Sequence, residues 1–210
     1  MNQHPRERQY RLLFPAFGSL IFCVLYLVAA YRYPGGSQLD QQSIGFSWTQ
    51  NYWCNLLSET AINGLPNNSR PVAMVAMIVL AITLIYFWYF FPVQAGFAKP
   101  ARILIQASGA AAMLTGLFMS GEWHDMIINL ASLFGLIAIA GTFAGLYKLK
   151  WNILLWFGVL NLLLVGLNNY LYYIVDLRYY LPLVQKITFF SFLLWNSIIS
   201  IGMYRRSLNP

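Results

Sequence analysis

Ser120, Glu122, His124 and Asp125 crowd four reactive side chains into six consecutive residues, and His124 is one of only two histidines in the chain. An unperturbed imidazole titrates near ~6.5, so His124 suits a general base, a metal ligand or a helix-capping group. With Ser120, Asp125 and the distant Glu59 it makes up the candidate catalytic set. Asn129 follows Asp125 by about one helical turn. Further on come Asn168, Asn169 and Asp176, then Arg178 and Lys186. Glu59, Glu122, His124, Asn129, Asn169, Asp176 and Arg178 are the candidate ligand-binding residues. Polar groups so close to long apolar runs are costly unless paired or hydrated, and their density implies a polar, water-accessible pocket. An anionic ligand there would have to use Arg178, Lys186 or Arg70. The carboxylates alone would favour hard cations such as calcium or magnesium. No metal is assigned to the set, and no cofactor is expected.

The elements that must position these residues are set by composition. The chain is 59% hydrophobic and only 9% charged, with a mean hydropathy of +0.58. A water-soluble globule would carry nearer ~25% charged residues, so lipid is the expected solvent. Apolar runs occupy about 12–31, 72–91, 103–119, 126–147, 151–171 and 181–204. Each is close to the roughly 20 residues that a helix needs to cross ~30 Å of hydrocarbon. Barrel strands would be shorter and alternating, so the expected fold is all-α: a six-transmembrane-helix bundle in one integral membrane domain, 1–210.

Orientation follows from the basic residues. Arg6, Arg8, Arg11, Lys99, Arg102, Lys148, Lys150, Arg205 and Arg206 are nine of the thirteen, and six spans put all of them on one side. Five of the six acids (Asp40, Glu59, Glu122, Asp125 and Asp176) fall on the other. The positive-inside rule then makes both termini cytoplasmic. The net charge of +7 is spread over four separate segments, so it reads as topology and not as a nucleic-acid surface. Val28-Ala29-Ala30 resembles a signal-peptide cleavage site, but the preceding apolar run is long for a signal and is expected to stay as the first span.

The outer loop, 32–70, opens on the turn signal Tyr33-Pro34-Gly35-Gly36. Residues 46–62 mix Trp48, Tyr52 and Trp53 with Asn51, Asn55 and Glu59, a pattern that suits a short interfacial helix folding over the mouth of the bundle. Folded that way, it would bring Glu59 near His124. Small residues recur every fourth position at Ser108, Ala112, Gly116 and Ser120, and again at Gly141 and Gly145. Both stripes are expected to be helix-packing faces. Asn161 and Asn196 fall near the middle of the fifth and sixth spans, where each would bond to the other or to a neighbouring helix. Cys23 lies in the first span and Cys54 in the loop, so no disulfide between them is expected.

Ser58-Glu59, Asn67-Asn68-Ser69 and His124 carry a family likeness. With six spans and a polar first loop, the chain resembles the bacterial and archaeal membrane proteins grouped as domain of unknown function family 998. The likeness covers almost the whole chain and implies a helical bundle without an assigned reaction. The chain departs from that pattern at 121–125, which lacks a Phe-Pro step, and at Gly64-Leu65-Pro66. A fainter similarity links the Ser120 and His124 spacing, and Asn51-Tyr52-Trp53-Cys54-Asn55, to the alkaline ceramidase-like membrane hydrolases. That resemblance implies a zinc-activated water attacking a lipid amide. It also implies two histidines in the last span, and this chain has none after His124.

Other templates are missing: there is no Gly-x-Ser-x-Gly elbow, no phosphate-binding Gly-rich loop and no Cys-x-x-Cys. No charged residue sits at the centre of a span, which argues against a proton or ion pathway. The expectation is a small multi-pass protein of the cell membrane, of the prokaryotic inner-membrane type. Its outward-facing polar pocket would take a lipid headgroup or a membrane-protein partner. A metal-dependent intramembrane lipid hydrolase is the alternative, so whether it is an enzyme stays open. Membrane lipids are the expected partners, and nucleic acid is not.

Overall fold

The computed structural model describes residues 9–118 and 124–208, with the backbone alone for His124 and Asp125. Six α-helices lie among the described residues: α1 Phe14–Tyr31, α2 Arg70–Gln94, α3 Lys99–Gly116, α4 His124–Lys148, α5 Asn152–Tyr173 and α6 Leu181–Leu208. Short 3-10 turns form at Arg11–Leu13, Trp53–Leu57 and Val175–Tyr180, and there is no strand among the described residues. Five segments, Arg11–Tyr31, Arg70–Gln94, Met126–Lys148, Asn152–Tyr173 and Val175–Leu208, are long and apolar enough to cross a membrane. This points to a multi-pass membrane protein. The remaining helix, α3, has 18 residues and carries Lys99, Arg102 and Gln106, which lower its apolar content.

The chain divides into two compact units, one of Met1–Leu20, Ile78–Gly158 and Leu193–Pro210, the other of Ile21–Met77 and Val159–Phe192. In the first unit, α3 packs on α4. Glycines let both helices approach α2 closely: a Cβ on Gly109 of α3 would lie 2.6 Å from the Trp88 indole, and one on Gly145 of α4 would lie 2.5 Å from the Phe91 ring. Gly141 is closed in the same way by Ile105. In lipid, such close backbone approach supplies the van der Waals contact that hydrophobic burial cannot. Ser108 and Ala112 from the α3 stripe are buried in this unit, whereas a side chain on Gly116 would meet open space. Ser120 lies outside the described residues. The Trp88 indole N–H donates to Thr142 Oγ1 at 3.2 Å, and Thr142 donates to the Ala138 carbonyl at 2.9 Å. Buried indole N–H groups usually find a partner of this kind.

Two helix ends in the first unit share one device. At the end of α2, Gly96 has φ +70°; its N–H donates to Val93 O at 3.1 Å and the Phe97 N–H donates to Pro92 O at 3.1 Å. At the end of α4, Lys150 has φ +58°; its N–H donates to Tyr147 O at 3.0 Å and the Trp151 N–H donates to Leu146 O at 2.9 Å. Both are Schellman caps, whose left-handed residue is usually glycine. The Lys148 ammonium donates to the Gly96 carbonyl and lies 5.5 Å from the centre of the Phe97 ring.

The second unit contains the loop between α1 and α2. Across 46–62, where a short interfacial helix is predicted, helical structure is confined to Trp53–Leu57. The asparagines explain the difference, because their side chains offer the backbone hydrogen bonds that compete with a helix.

Candidate functional site: a capped lysine and an exposed arginine

The cap begins where Gly35 and Gly36 take φ +141° and +82°, a turn that β-carbons would obstruct. A side chain on Gly36 would run into the backbone of Ile62 and Asn63. The reversal lets the Gly36 N–H donate to Ser43 O at 2.7 Å. Asn51 then locks the turn: it is fully buried, its Nδ2 donates to Gly36 O at 2.8 Å, and its Oδ1 accepts the Ser47 N–H at 2.8 Å. Asn55 Oδ1 accepts the Tyr52 N–H at 2.6 Å and starts the 3-10 turn. Asn67 closes the far side, with Nδ2 donating to Asn55 O and Ser58 O, each at 2.9 Å. Three asparagines therefore satisfy a backbone that has no ladder of its own.

Lys186, in the second turn of α6, reaches into this cap and is only 4% exposed. Its ammonium donates to Asn51 O at 2.5 Å and Pro182 O at 2.9 Å. The rings of Phe46 and Trp53 stand over it with centroids at 5.3 and 5.8 Å. No carboxylate pairs with it among the described residues. Aromatic faces and carbonyl oxygens together replace the counter-ion, because both present negative potential to a cation. The neighbouring Gln185 accepts the Trp53 N–H at 3.0 Å, so two consecutive residues of α6 hold the 3-10 turn. Trp53 packs edge-on to Tyr26 with ring centroids 4.2 Å apart. Among the described residues its buried indole N–H has no hydrogen-bond acceptor.

Arg178 presents the opposite case. It lies exposed in the Val175–Tyr180 turn, where its Nε and Nη2 donate to Tyr172 O at 3.1 and 2.9 Å. The guanidinium also stands over the Tyr172 ring, 5.5 Å from its centre. Tyr52 of the cap shares this neighbourhood: burial pushes its phenol up, and the positive charge of Arg178 works against that rise. Tyr172, Tyr173, Tyr179 and Tyr180 are all exposed around the same turn. The cluster was missed at the sequence level, although the paired tyrosines flanking Arg178 were its signal.

The other predicted site residues fall as follows. Glu59 is 81% exposed on its side chain and pairs with Arg70 at 3.0 Å. Asp176 and Asn169 are exposed, and Asn169 Nδ2 donates to Val165 O of its own helix at 3.0 Å. Within this second unit, among the described residues, no hydrogen bond or ion pair joins Glu59, Asn169 and Asp176. Asn129 is exposed on α4 in the first unit. His124 opens α4, but its side chain and that of Asp125, with all of Ser120 and Glu122, lie outside the described residues, so the expected meeting of Glu59 with His124 falls there too. Among the described residues no three His, Cys, Asp or Glu side chains are grouped to hold a metal.

Compared with protein-family models, curated proteins and solved structures, the chain matches none of them.

Proposed function

We propose that this chain is a six-span protein of the cell membrane, with both termini cytoplasmic, that binds an anionic lipid headgroup at its outer face through Arg178. The sorting of nine basic residues onto alternate gaps supports the orientation. The observation that carries the binding reading is the state of Arg178. It is exposed, anchored on the Tyr172 carbonyl and ring, and without a carboxylate among the described residues. Two of its five N–H groups are spent on that anchor, which leaves about three for a phosphate. A guanidinium fixed in this way offers the paired donors that phosphate oxygens accept. The exposed tyrosines around it suit headgroup depth, where an aromatic body meets apolar chains and its hydroxyl meets water. Lys186 has a different job in this reading. Being buried and bonded to two carbonyls, it holds the cap and does not meet the ligand.

Titration of detergent-solubilised protein with short-chain phosphatidylglycerol and phosphatidylcholine tests the proposal. Arg178→Gln is expected to weaken the phosphatidylglycerol complex about tenfold, equivalent to ~1.4 kcal/mol, and to leave phosphatidylcholine binding unchanged. Equal binding of the two lipids by the unaltered protein, or no change in the variant, rejects it. Stoichiometric zinc in the purified protein would instead favour the hydrolase alternative.

A further inference from the structure

In the first unit, an open groove of about 800 Å³ runs between the start of α5 and the end of α6, lined by Lys150, Trp151, Ile153, Ile198, Gly202 and Arg205 among others. Its volume falls in the range of small-molecule sites. Its walls are apolar, and Ile153 is 85% exposed, so the groove opens toward the lipid that surrounds a membrane helix. Two contacts set its shape. The Trp195 indole N–H donates to Leu154 O at 2.6 Å and ties the first turn of α5 to α6. Gly202 leaves room for the Trp151 ring, to which a β-carbon there would come within 3.0 Å.

Two cations stand at this groove. Lys150 and Arg205 are both exposed, and neither meets a carboxylate among the described residues. Along the sequence no Asp or Glu occurs in 126–175 or 177–210, and Glu7, near in sequence to the Gln9 that bonds Ser207, lies outside the described residues. Lys148, two residues away, is engaged differently, since its ammonium caps the end of α2 at the Gly96 carbonyl. Lys150 is not used in that way. It occupies the left-handed position of a Schellman cap, φ +58°, where glycine would be unstrained and where α2 does use glycine. Topology alone accounts for basic residues on this side, and the carbonyl end of α6 accounts for Arg205. Neither explains an apolar groove that opens beside both charges. A ligand complementary to the whole feature carries a negative head and a hydrocarbon tail.

We propose that this groove is a binding site for one anionic phospholipid, its phosphate at Lys150 and Arg205 and an acyl chain along Ile153 and Ile198. Basic pockets between membrane helices recognise anionic headgroups in this manner. The site shares no residue with the Arg178 surface and does not depend on it.

Trp151, in the wall of the groove, supplies the readout. The protein is placed in phosphatidylcholine nanodiscs containing equal mole fractions of either brominated phosphatidylglycerol or brominated phosphatidylcholine. The Trp151 contribution is the difference in fluorescence quenching between the unaltered protein and Trp151→Phe. Brominated phosphatidylglycerol is expected to act at about tenfold lower mole fraction than its zwitterionic counterpart, from two cations near the surface. Lys150→Gly with Arg205→Gln should abolish that preference. Lys150→Gly by itself should keep or raise the melting temperature, because glycine takes the left-handed position without strain, so a lost preference cannot be assigned to misfolding. Arg178→Gln should leave the Trp151 preference intact, which separates failure here from failure at the outer face. Equal quenching by the two brominated lipids, or a preference that survives the double substitution, overturns the proposal.

Discussion

Lys186 donates to the backbone carbonyl of Asn51 at 2.5 Å across 135 residues of sequence, and the same Asn51 binds Gly36 and Ser47 through its side chain. One buried cation is thus joined to the residue that organises the first half of the cap.

Replacing Lys186 by methionine keeps the stem and removes the charge, leaving the Asn51 carbonyl buried without its donor. An unsatisfied buried acceptor costs about 1–3 kcal/mol. The cap is expected to loosen, with a lower melting temperature in detergent and faster cleavage by protease within 32–70. Lys186→Arg is expected to be no rescue, because a planar guanidinium does not fit a compact ammonium cage. A Lys186→Met protein as stable and as protease-resistant as the original would remove the lysine from the account of cap stability.

High pH should open the same cap. Burial raises the phenols of Tyr33 and Tyr52. A group whose folded pKa lies above its unfolded value adds stability in full below the unfolded value and loses it as pH rises through the folded one. The window therefore starts near the ordinary phenol range, about 10. Protease sensitivity of the loop is expected to increase above that range and stay flat between pH 6 and 8. A cap that loosens on acidification, with no change at alkaline pH, would show that other groups control it.

In the first unit, Thr142→Val tests the bond that receives the Trp88 indole N–H at 3.2 Å. Valine keeps the shape and removes the oxygen, so the indole is left buried and unpaired. The expected loss is about 1–3 kcal/mol, read as a lower melting temperature in detergent. Thr142→Ser keeps the acceptor and should lose less. If valine and serine have equal effects, packing and not the hydrogen bond sets the contribution of Thr142.

The helices were readable from the sequence because a single property, apolar length, fixes them. The run at 151–171 became Asn152–Tyr173, and that at 72–91 became Arg70–Gln94, which continues through Pro92 before Gly96 ends it. The glycine contacts were also readable at Gly141 and Gly145, since an absent side chain on a lipid-embedded helix has few other uses. The cap was not. Its fold depends on which carbonyl each asparagine reaches, and composition around Asn51, Asn55 and Asn67 does not encode those partners. Lys186 illustrates the same limit. By residue type it was grouped with Arg178 and Arg70 as an anion ligand, yet its ammonium meets two carbonyls, while Arg178 stays exposed.

The number of spans decides where the C-terminus lies, and α3 decides the number. Five segments meet the length and composition expected of a span without it, which would put the two termini on opposite sides. We expect α3 to cross. The Lys148 ammonium at the end of α4 bonds to Gly96 O, just before the start of α3, so those two ends lie together. The helices are packed on each other and share the contact of Gly141 with Ile105. An antiparallel partner of a crossing helix, matched to it at one end and packed on it, occupies the same depth of bilayer. A reporter fused after Arg206 should therefore behave as cytoplasmic, and one fused within 32–70 as external. An external signal after Arg206, with the loop reporter unchanged, would mean an odd span count. With α3 as the helix that fails to cross, it would also move both Lys150 and Arg205 to the external face.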